Sequence, residues 1–380
     1  MYFIKRFTGI LMAAAGIFAL LTMTGCWDDA EINGRAFVLG FGADSGGEAY
    51  RFTFQLAIPV SGESDSSGSI QYTSRTVEGR TPAAAVRTLE KDLGRQINFE
   101  QLSLIVIGER LSRKDFTGLT DYFFRRASVR RQSCIAVCSG SAEAFFGSSA
   151  TDKAISTEAA SALQSYDAGS GGIAMNLFLL YRILVNRDEF FLPKISAAAE
   201  DAGGKALLTL SGASAYGREG QFRGDLSEEE LELLRLTRGS GTGGSLTVQD
   251  GSGNRYCCQV RQSDCSVKCT IADGTPEFRM KLELVILPLD TESGKGFGHS
   301  DDAQTSIEQS AEDTVKKRLQ ALADRSRDSL GSSVLGLQDV IRQRQPDWYA
   351  LHQKDWERIY PASEITITVN CTAAGGGITK

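Results

Sequence analysis

The sequence predicts an α+β, multi-domain protein in which mixed sheets are covered by helices and the C-terminal part pairs an antiparallel sheet with a long helix. Three observations carry this. Residues 102–107 and 133–137 are continuous apolar runs of strand length, the pattern of strands covered on both faces. Phe278, Met280, Leu282, Leu284 and Ile286 alternate strictly, as do Ile365, Ile367, Val369 and Cys371, so each set marks a half-buried strand. Ile307, Ala311, Val315, Leu319 and Leu322 recur at helical spacing. A chain of 380 residues with 42% hydrophobic content can bury more than one core. The expected division is a leader at 1–25, an N-terminal α/β domain at 26–195, a small middle domain at 196–240 and a C-terminal α+β domain at 241–380.

Taken in order, residues 35–41 and 52–58 read as strands joined by a Gly-rich turn, with Pro59 closing the second. Residues 61–69 form a loop. Thr81 caps a helix with Pro82 at its first position, Val86, Leu89 and Leu93 on one face and Gly94 at its end. Residues 178–185, interrupted by Tyr181 and Arg182, read as a core helix. Residues 207–210 and 213–216 suggest short strands. Ser227 opens a helix whose first turn holds Glu228, Glu229 and Glu230, where the helix dipole favours acids. The Gly/Ser/Thr run at 239–244 marks a boundary. Residues 256–271 and 278–286 then read as antiparallel strands, followed by the long helix and a second one through Val334, Leu337 and Ile341. A third helix carries Tyr349, His352, Trp356 and Ile359 on one face. Trp348 and Trp356, eight residues apart, lie about 80° from one another on an ideal helix, so one face can bury at least one of them. Packing is the default role of Trp356, and an exposed anchor for a partner subunit is the alternative.

The first 26 residues look like an export signal ending at a lipidated cysteine. Lys5 and Arg6 form a positive start, residues 7–21 an apolar core, and Thr24 and Gly25 lead into Cys26. Met23 replaces the commoner Leu three places before the cysteine. The apolar run falls short of the ~20 residues of a spanning helix, which disfavours a signal anchor; an ordinary cleaved signal is the other alternative. A thioether-linked diacylglyceryl group on Cys26 would hold the chain on a membrane by two acyl chains, at about 0.8 kcal/mol per buried CH₂. Removing residues 1–25 takes away Lys5 and Arg6 and no acid, which shifts the formal charge from −6 to −8. Such a body does not suit nucleic acid. It also argues against flat adsorption to anionic lipid, leaving Cys26 as the main membrane contact.

Catalysis finds little support, and no catalytic residue, cofactor-binding residue or metal ligand is assigned. The sequence has two histidines: His299 in a polar loop, and His352 beside Tyr349 and Trp356, where a hydrogen-bonded structural role is expected. No G-x-S-x-G elbow, P-loop lysine or HExxH motif occurs. Asp28-Asp29 and Asp301-Asp302 sit in polar stretches and should be solvated. Gly40-Phe41-Gly42 follows a strand but precedes another, so it fails the context of a dinucleotide fingerprint. Cys257, Cys258, Cys265 and Cys269 lack paired C-x-x-C knuckles. They fit a hairpin with small apolar cysteines turned inward; a disulfide such as Cys258–Cys265, or a metal, is the alternative. Cys134, Cys138 and Cys371 should be buried packing. Arg125, Arg126, Arg130 and Arg131 concentrate positive charge, either to meet phosphate headgroups or an acidic partner, or as the solvated end of a helix.

The run Cys26-Trp27-Asp28-Asp29-Ala30-Glu31-Ile32-Asn33 resembles the start of the mature C subunit of nutrient germinant receptors, the GerAC or Ger(x)C lipoproteins of endospore-forming bacteria. The resemblance continues through residues 37–44, 104–111 and 121–125, then through Gly212-Ala213-Ser214-Ala215-Tyr216 and 224–230, and near the C-terminus through Leu335-Gly336-Leu337 and 348–361. Arg126 and Ser128 depart from it, standing where family members often carry acids, and the cysteines near 260 are not family hallmarks. The resemblance implies a three-domain α+β fold and a non-enzymatic subunit lipidated at Cys26, without cofactor, on the outer face of the spore inner membrane. Its implied partners are an A subunit with soluble domains and a transporter-like B subunit that binds germinant, and its implied role is to stabilise the complex and relay germinant binding. Whether this subunit touches germinant stays open. The rival is a ligand-binding lipoprotein of an ABC-type transporter, which would show two similar α/β lobes around an aromatic cleft. A lipid-anchored hydrolase lacks a nucleophile and base.

Overall fold

The computed structural model describes residues 34–60, 69–147, 154–168, 174–198, 207–238, 244–249, 253–291 and 301–374. The leader, Cys26, Asp28, Asp29, residues 61–68, most of the 239–244 linker and His299 lie outside these residues.

The first sheet begins as a meander of β1 (Arg35–Ser45), β2 (Tyr50–Val60) and β3 (Ser69–Gly79). Helix α1 (Pro82–Leu93) follows, with the Thr81 hydroxyl accepting from the Ala84 amide at 3.2 Å and Gly94 closing it at φ 63°. Then come β4 (Gln96–Asn98), β5 (Leu104–Gly108), α2 (Glu109–Ser112), α3 (Thr117–Phe124), β6 (Cys134–Cys138), α4 (Ala142–Gly147) and α5 (Ile155–Ala168). After β7 (Met175–Asn176), α6 (Leu177–Asn186) and β8 (Phe190–Ala198), the antiparallel strands β9 (Leu207–Tyr216) and β10 (Phe222–Leu226) complete the sheet. The strand order is β10-β9-β8-β6-β5-β1-β2-β3, with β4 beside β1 and β7 beside β6. Strands β1, β5, β6 and β8 run parallel in its middle. The apolar runs of β5 and β6 are continuous because both faces are covered. Ile105, Ile107, Ile135 and Val137 enter one core and Leu104, Val106, Cys134 and Ala136 another.

The second sheet is β11 (Ser245–Gln249), β12 (Arg255–Ala272), β13 (Thr275–Thr291) and β14 (Glu364–Ala373), in that order. Its first three strands are antiparallel. Strand β14 joins β13 in parallel because the chain returns through a helical crossover. That crossover contains α8 (Asp301–Arg325), a π turn at Ser326–Leu330, α9 (Leu337–Arg344), α10 (Pro346–His352) and α11 (Trp356–Ile359). Ile307, Ala311, Val315, Leu319 and Leu322 of α8 are all buried over the sheet, and every second residue of β14 faces them. A 3₁₀ turn at Gln353–Asp355 breaks the expected single third helix into α10 and α11, moving His352 and Trp356 off a common face.

Residues 196–240, expected as a small middle unit, are shared between the two halves. Strands β9 and β10 extend the first sheet, and α7 (Glu228–Thr237) packs Leu231, Leu233 and Leu234 into the core of the second. Ser227 and Glu230 form a reciprocal capping box at the start of α7. The same core takes in Phe191, Ala213 and Ala215 of the first sheet, so an apolar interface joins the halves. Arg325 of α8 reinforces it by donating to the Asp225 carbonyl at 2.7 Å and pairing with Glu230.

Candidate functional site

Because β1, β5, β6 and β8 are parallel, their N-termini share one edge of the first sheet. The connections that reach this edge carry the arginine cluster. Residues 125–133 lead from α3 into β6, and Ser133 bonds back to the Leu102 carbonyl at 2.6 Å. Arg126 lies over the rings of Tyr122 and Phe99 at 4.7 and 5.3 Å, and Arg130 donates to Gln101 at 3.0 Å. Arg125 pairs with Asp121 at 2.6 Å. Among the described residues, Arg126, Arg130, Arg131 and Arg182 have no carboxylate within ion-pair distance.

Helix α6 lies across the same edge, since β7 before it pairs with the start of β6 and β8 after it begins there. Asn176 caps it, accepting from the Leu179 amide at 2.8 Å. The Phe178 amide donates to the Arg131 carbonyl at 2.9 Å, and Tyr181 meets Phe124 edge to face at 5.1 Å. The expected core helix is therefore buried on one side alone. Leu177 and Leu180 face inward, while Phe178, Tyr181 and Val185 are 56%, 45% and 63% exposed. The apolar run concealed this because nearly every position is apolar, and periodicity carries no information in such a run.

Behind α6 the two halves meet around a cavity of about 510 Å³. Asp188 binds Arg342 of α9 at 2.6 Å, and Arg342 also holds Asp339. Glu189 takes the Ser333 amide at 2.7 Å and the Trp356 indole N–H at 3.4 Å on Oε2, while Oε1 is closed off from water and without a hydrogen-bond partner. Burial pushes its carboxyl up to about 7, against the opposing pull of these two donors. Trp356 is fully buried, stacked on Tyr360 at 5.4 Å. Trp348 is half-buried and stacks on His352 at 4.3 Å, whose Nδ1 meets the Trp348 carbonyl at 2.8 Å. His352 is thus held by its own helix, as expected of a structural histidine.

The cysteines correct one expectation. Residues 255–272 form one continuous strand, and the hairpin turns instead at Asp273-Gly274, both at positive φ. Cys258 and Cys265 are seven residues apart on β12, roughly 20 Å along the strand, far beyond disulfide reach. Cys258 and Cys269 are buried, Cys265 is partly buried and Cys257 exposed, all as free thiols. Burial pushes Cys258, Cys265 and Cys269 each up to about 11. Cys134, Cys138 and Cys371 are buried in strands. Among the described residues no three His, Cys, Asp or Glu side chains gather as a metal site. Gly40 and Gly42 are packing glycines: a Cβ on Gly40 would stand 2.5 Å from the Phe146 ring.

The site features thus describe a two-part mixed α/β body with a charge-paired seam between its halves and an arginine-rich edge on its first sheet. Comparison with known proteins defines it further. Residues 28–197 match the spore germination protein N-terminal domain, and residues 211–377 match the spore germination B3/GerAC-like C-terminal domain. The chain belongs to this family, the C-subunit family of germinant receptors. It is 22% identical over 358 residues to spore germination protein B3 of Bacillus subtilis (strain 168), covering 93% of this chain and 94% of that one. The YfkR protein of the same organism is 24% identical over 370 residues, 94% of each chain. The crystal structure of the GerBC protein superposes with a TM-score of 0.61 at 18% identity, covering 88% of this chain and 97% of that chain, a likeness of fold.

Proposed function

We propose that this protein is the lipid-anchored, non-enzymatic C subunit of a nutrient germinant receptor, held by Cys26 on the outer face of the spore inner membrane. There it supports assembly of the A and B subunits and the signal that follows germinant binding. One observation carries this reading: the two family domains occupy 28–197 and 211–377 in order, beginning two residues after Cys26. Family membership places the role in spore germination and implies association with other receptor subunits. The family is not a known enzyme family. Among the described residues no helix is long and apolar enough to cross a membrane, which is consistent with a covalent lipid as the attachment. The ABC-transporter reading called for two similar lobes, whereas the two sheets differ in size and strand order.

Fractionation tests the anchor. Cys26→Ala should release the folded chain from the membrane of a host lacking the partner subunits, because the two acyl chains supply the binding energy. Mutant protein that stays in the membrane fraction even after a high-salt wash, which screens charged surface contacts, would defeat the reading.

A further inference from the structure

We propose that the N-terminal edge of the first sheet is a lipid-facing surface, on which Arg126, Arg130, Arg131 and Arg182 meet the phosphates of an anionic bilayer while Phe178, Tyr181 and Val185 enter the headgroup layer. The proposal rests on the anchored-subunit reading for the position of Cys26 and adds how the body stands on the membrane.

Three observations converge on it. The first is reach. Strand β1 starts at Arg35 on this same edge, with Arg35 paired to Gln96 just before the loop that holds Phe99 and Gln101. Cys26 is nine residues earlier, at most about 30 Å of fully extended chain, so the lipid and the patch are confined to one end of the molecule. The second is charge. On a chain with formal charge −6, Arg126, Arg130 and Arg131 share one connection, and Arg182 lies on the helix whose Phe178 amide bonds to that connection, at the rim of the cavity that also holds Asp188 and Glu189. None of the four has a carboxylate at ion-pair distance among the described residues. Acids do lie near this edge, but Asp121 is taken up by Arg125, and Glu90 beside Tyr122 and Glu100 beside Gln101 are outnumbered by the four arginines, while charges beyond about 8 Å are largely screened at physiological salt. Net charge alone, which argued against flat adsorption, is therefore the wrong measure for this edge. The third is the composition of the exposed face. An aromatic and aliphatic stripe flanked by arginines is what a helix lying in the plane of a membrane interface presents. Arg126 stacked on two rings and Tyr181 against Phe124 give that stripe a fixed geometry rather than a loose one.

The test uses the full lipidated chain reconstituted through Cys26 into vesicles of phosphatidylcholine alone or with phosphatidylglycerol, each carrying brominated acyl chains. A Phe178→Trp variant reports depth. Its added tryptophan emission should be quenched in phosphatidylglycerol vesicles and much less in neutral ones. Each arginine near an anionic surface is worth about a fivefold gain in partition. The triple change Arg126→Glu, Arg130→Glu and Arg131→Glu should therefore lower the membrane-lying population by at least about 100-fold, the loss of three attractions before any repulsion is added, and abolish the quenching, with the chain still retained by its lipid. A thermal melt matching the parent shows that the fold survives. Equal quenching in both vesicle types, quenching that survives charge reversal, or none in either vesicle would overturn the proposal. Unchanged quenching after charge reversal, with the partner subunits no longer co-purifying with the same variant from spores, would overturn it too and make this edge a protein-docking face. A chain that leaves the vesicles altogether points to failure of the anchor instead.

Discussion

At the scale of single residues, buried space and buried charge decide most outcomes. Gly40 lies where β1 passes under Phe146, and a Cβ there would come within 2.5 Å of the ring and 2.7 Å of the Ser156 Cβ. Gly40→Ala should therefore cost about 1–3 kcal/mol by overpacking, seen as a lowered melting temperature. Gly108→Ala should behave likewise, since its Cβ would stand 1.9 Å from the Asp44 carboxylate that receives the first amides of α4. Glu189 gives a pH dependence. Its folded value of about 7 lies above the ordinary 4.5, so the folded state holds this proton more tightly between those values. Its contribution to stability is present at the acid end of that window and is lost as pH rises through 7. Glu189→Gln keeps an oxygen for Ser333 and Trp356 and removes the charge. It should raise stability by about 2–3 kcal/mol at pH 8, where the wild-type carboxyl must ionise in its buried place, with little change at pH 5. Melts with the same difference at both pH values would contradict this.

At the scale of elements, short helices around Trp356 lock the second half to the first. Trp356 is fully buried, stacks on Tyr360, meets Tyr349 edge to face at 6.1 Å and donates to Glu189 across the seam. Trp356→Ala should cost roughly 3–5 kcal/mol as a large-to-small core change and lower receptor abundance in consequence. A melting temperature equal to the parent's would contradict the packing role. Strand β12 gives a second expectation. Its cysteines are separated along one strand and raised by burial, so the folded protein should show neither a Cys258–Cys265 bridge nor rapid alkylation at Cys258. Mass spectrometry after trapping free thiols reads both.

At the scale of the whole molecule, the attachment and the metal question are separable. The purified body should bind no stoichiometric metal, because the cysteines of β12 are spread along one strand and cannot surround an ion. About one zinc per chain by elemental analysis, lost with Cys265→Ser, would refute that. The apolar interface uniting Phe191, Ala213 and Leu226 with α7 and the second sheet predicts that the halves unfold together. Two separate calorimetric transitions would show that they do not.

By itself the sequence determined the elements whose signal is local. The Thr81 cap and Gly94 stop of α1, the Ser227 capping box, the α8 stripe and the alternation of β13 and β14 each depend on a few neighbouring residues. The family signature at residues 26–33 is equally local. Strands β3 and β8 and helix α5 escaped it, having mixed polar and apolar patterns that acquire meaning through the neighbours they pair with, and β11 escaped it because its clean alternation spans only five residues. The Asp273-Gly274 turn agrees with the reading of residues 256–271 and 278–286 as two paired strands, and it excludes the hairpin expected among the cysteines. The tertiary structure alone decided the sharing of residues 196–240 between the two halves, the raised carboxyl of Glu189 and the exposure of Phe178, Tyr181 and Val185 beside the arginines. Each depends on which segments, distant in the chain, come to lie together. Parallel pairing gathers the starts of four strands at one edge, and that register follows from the packing of the whole sheet.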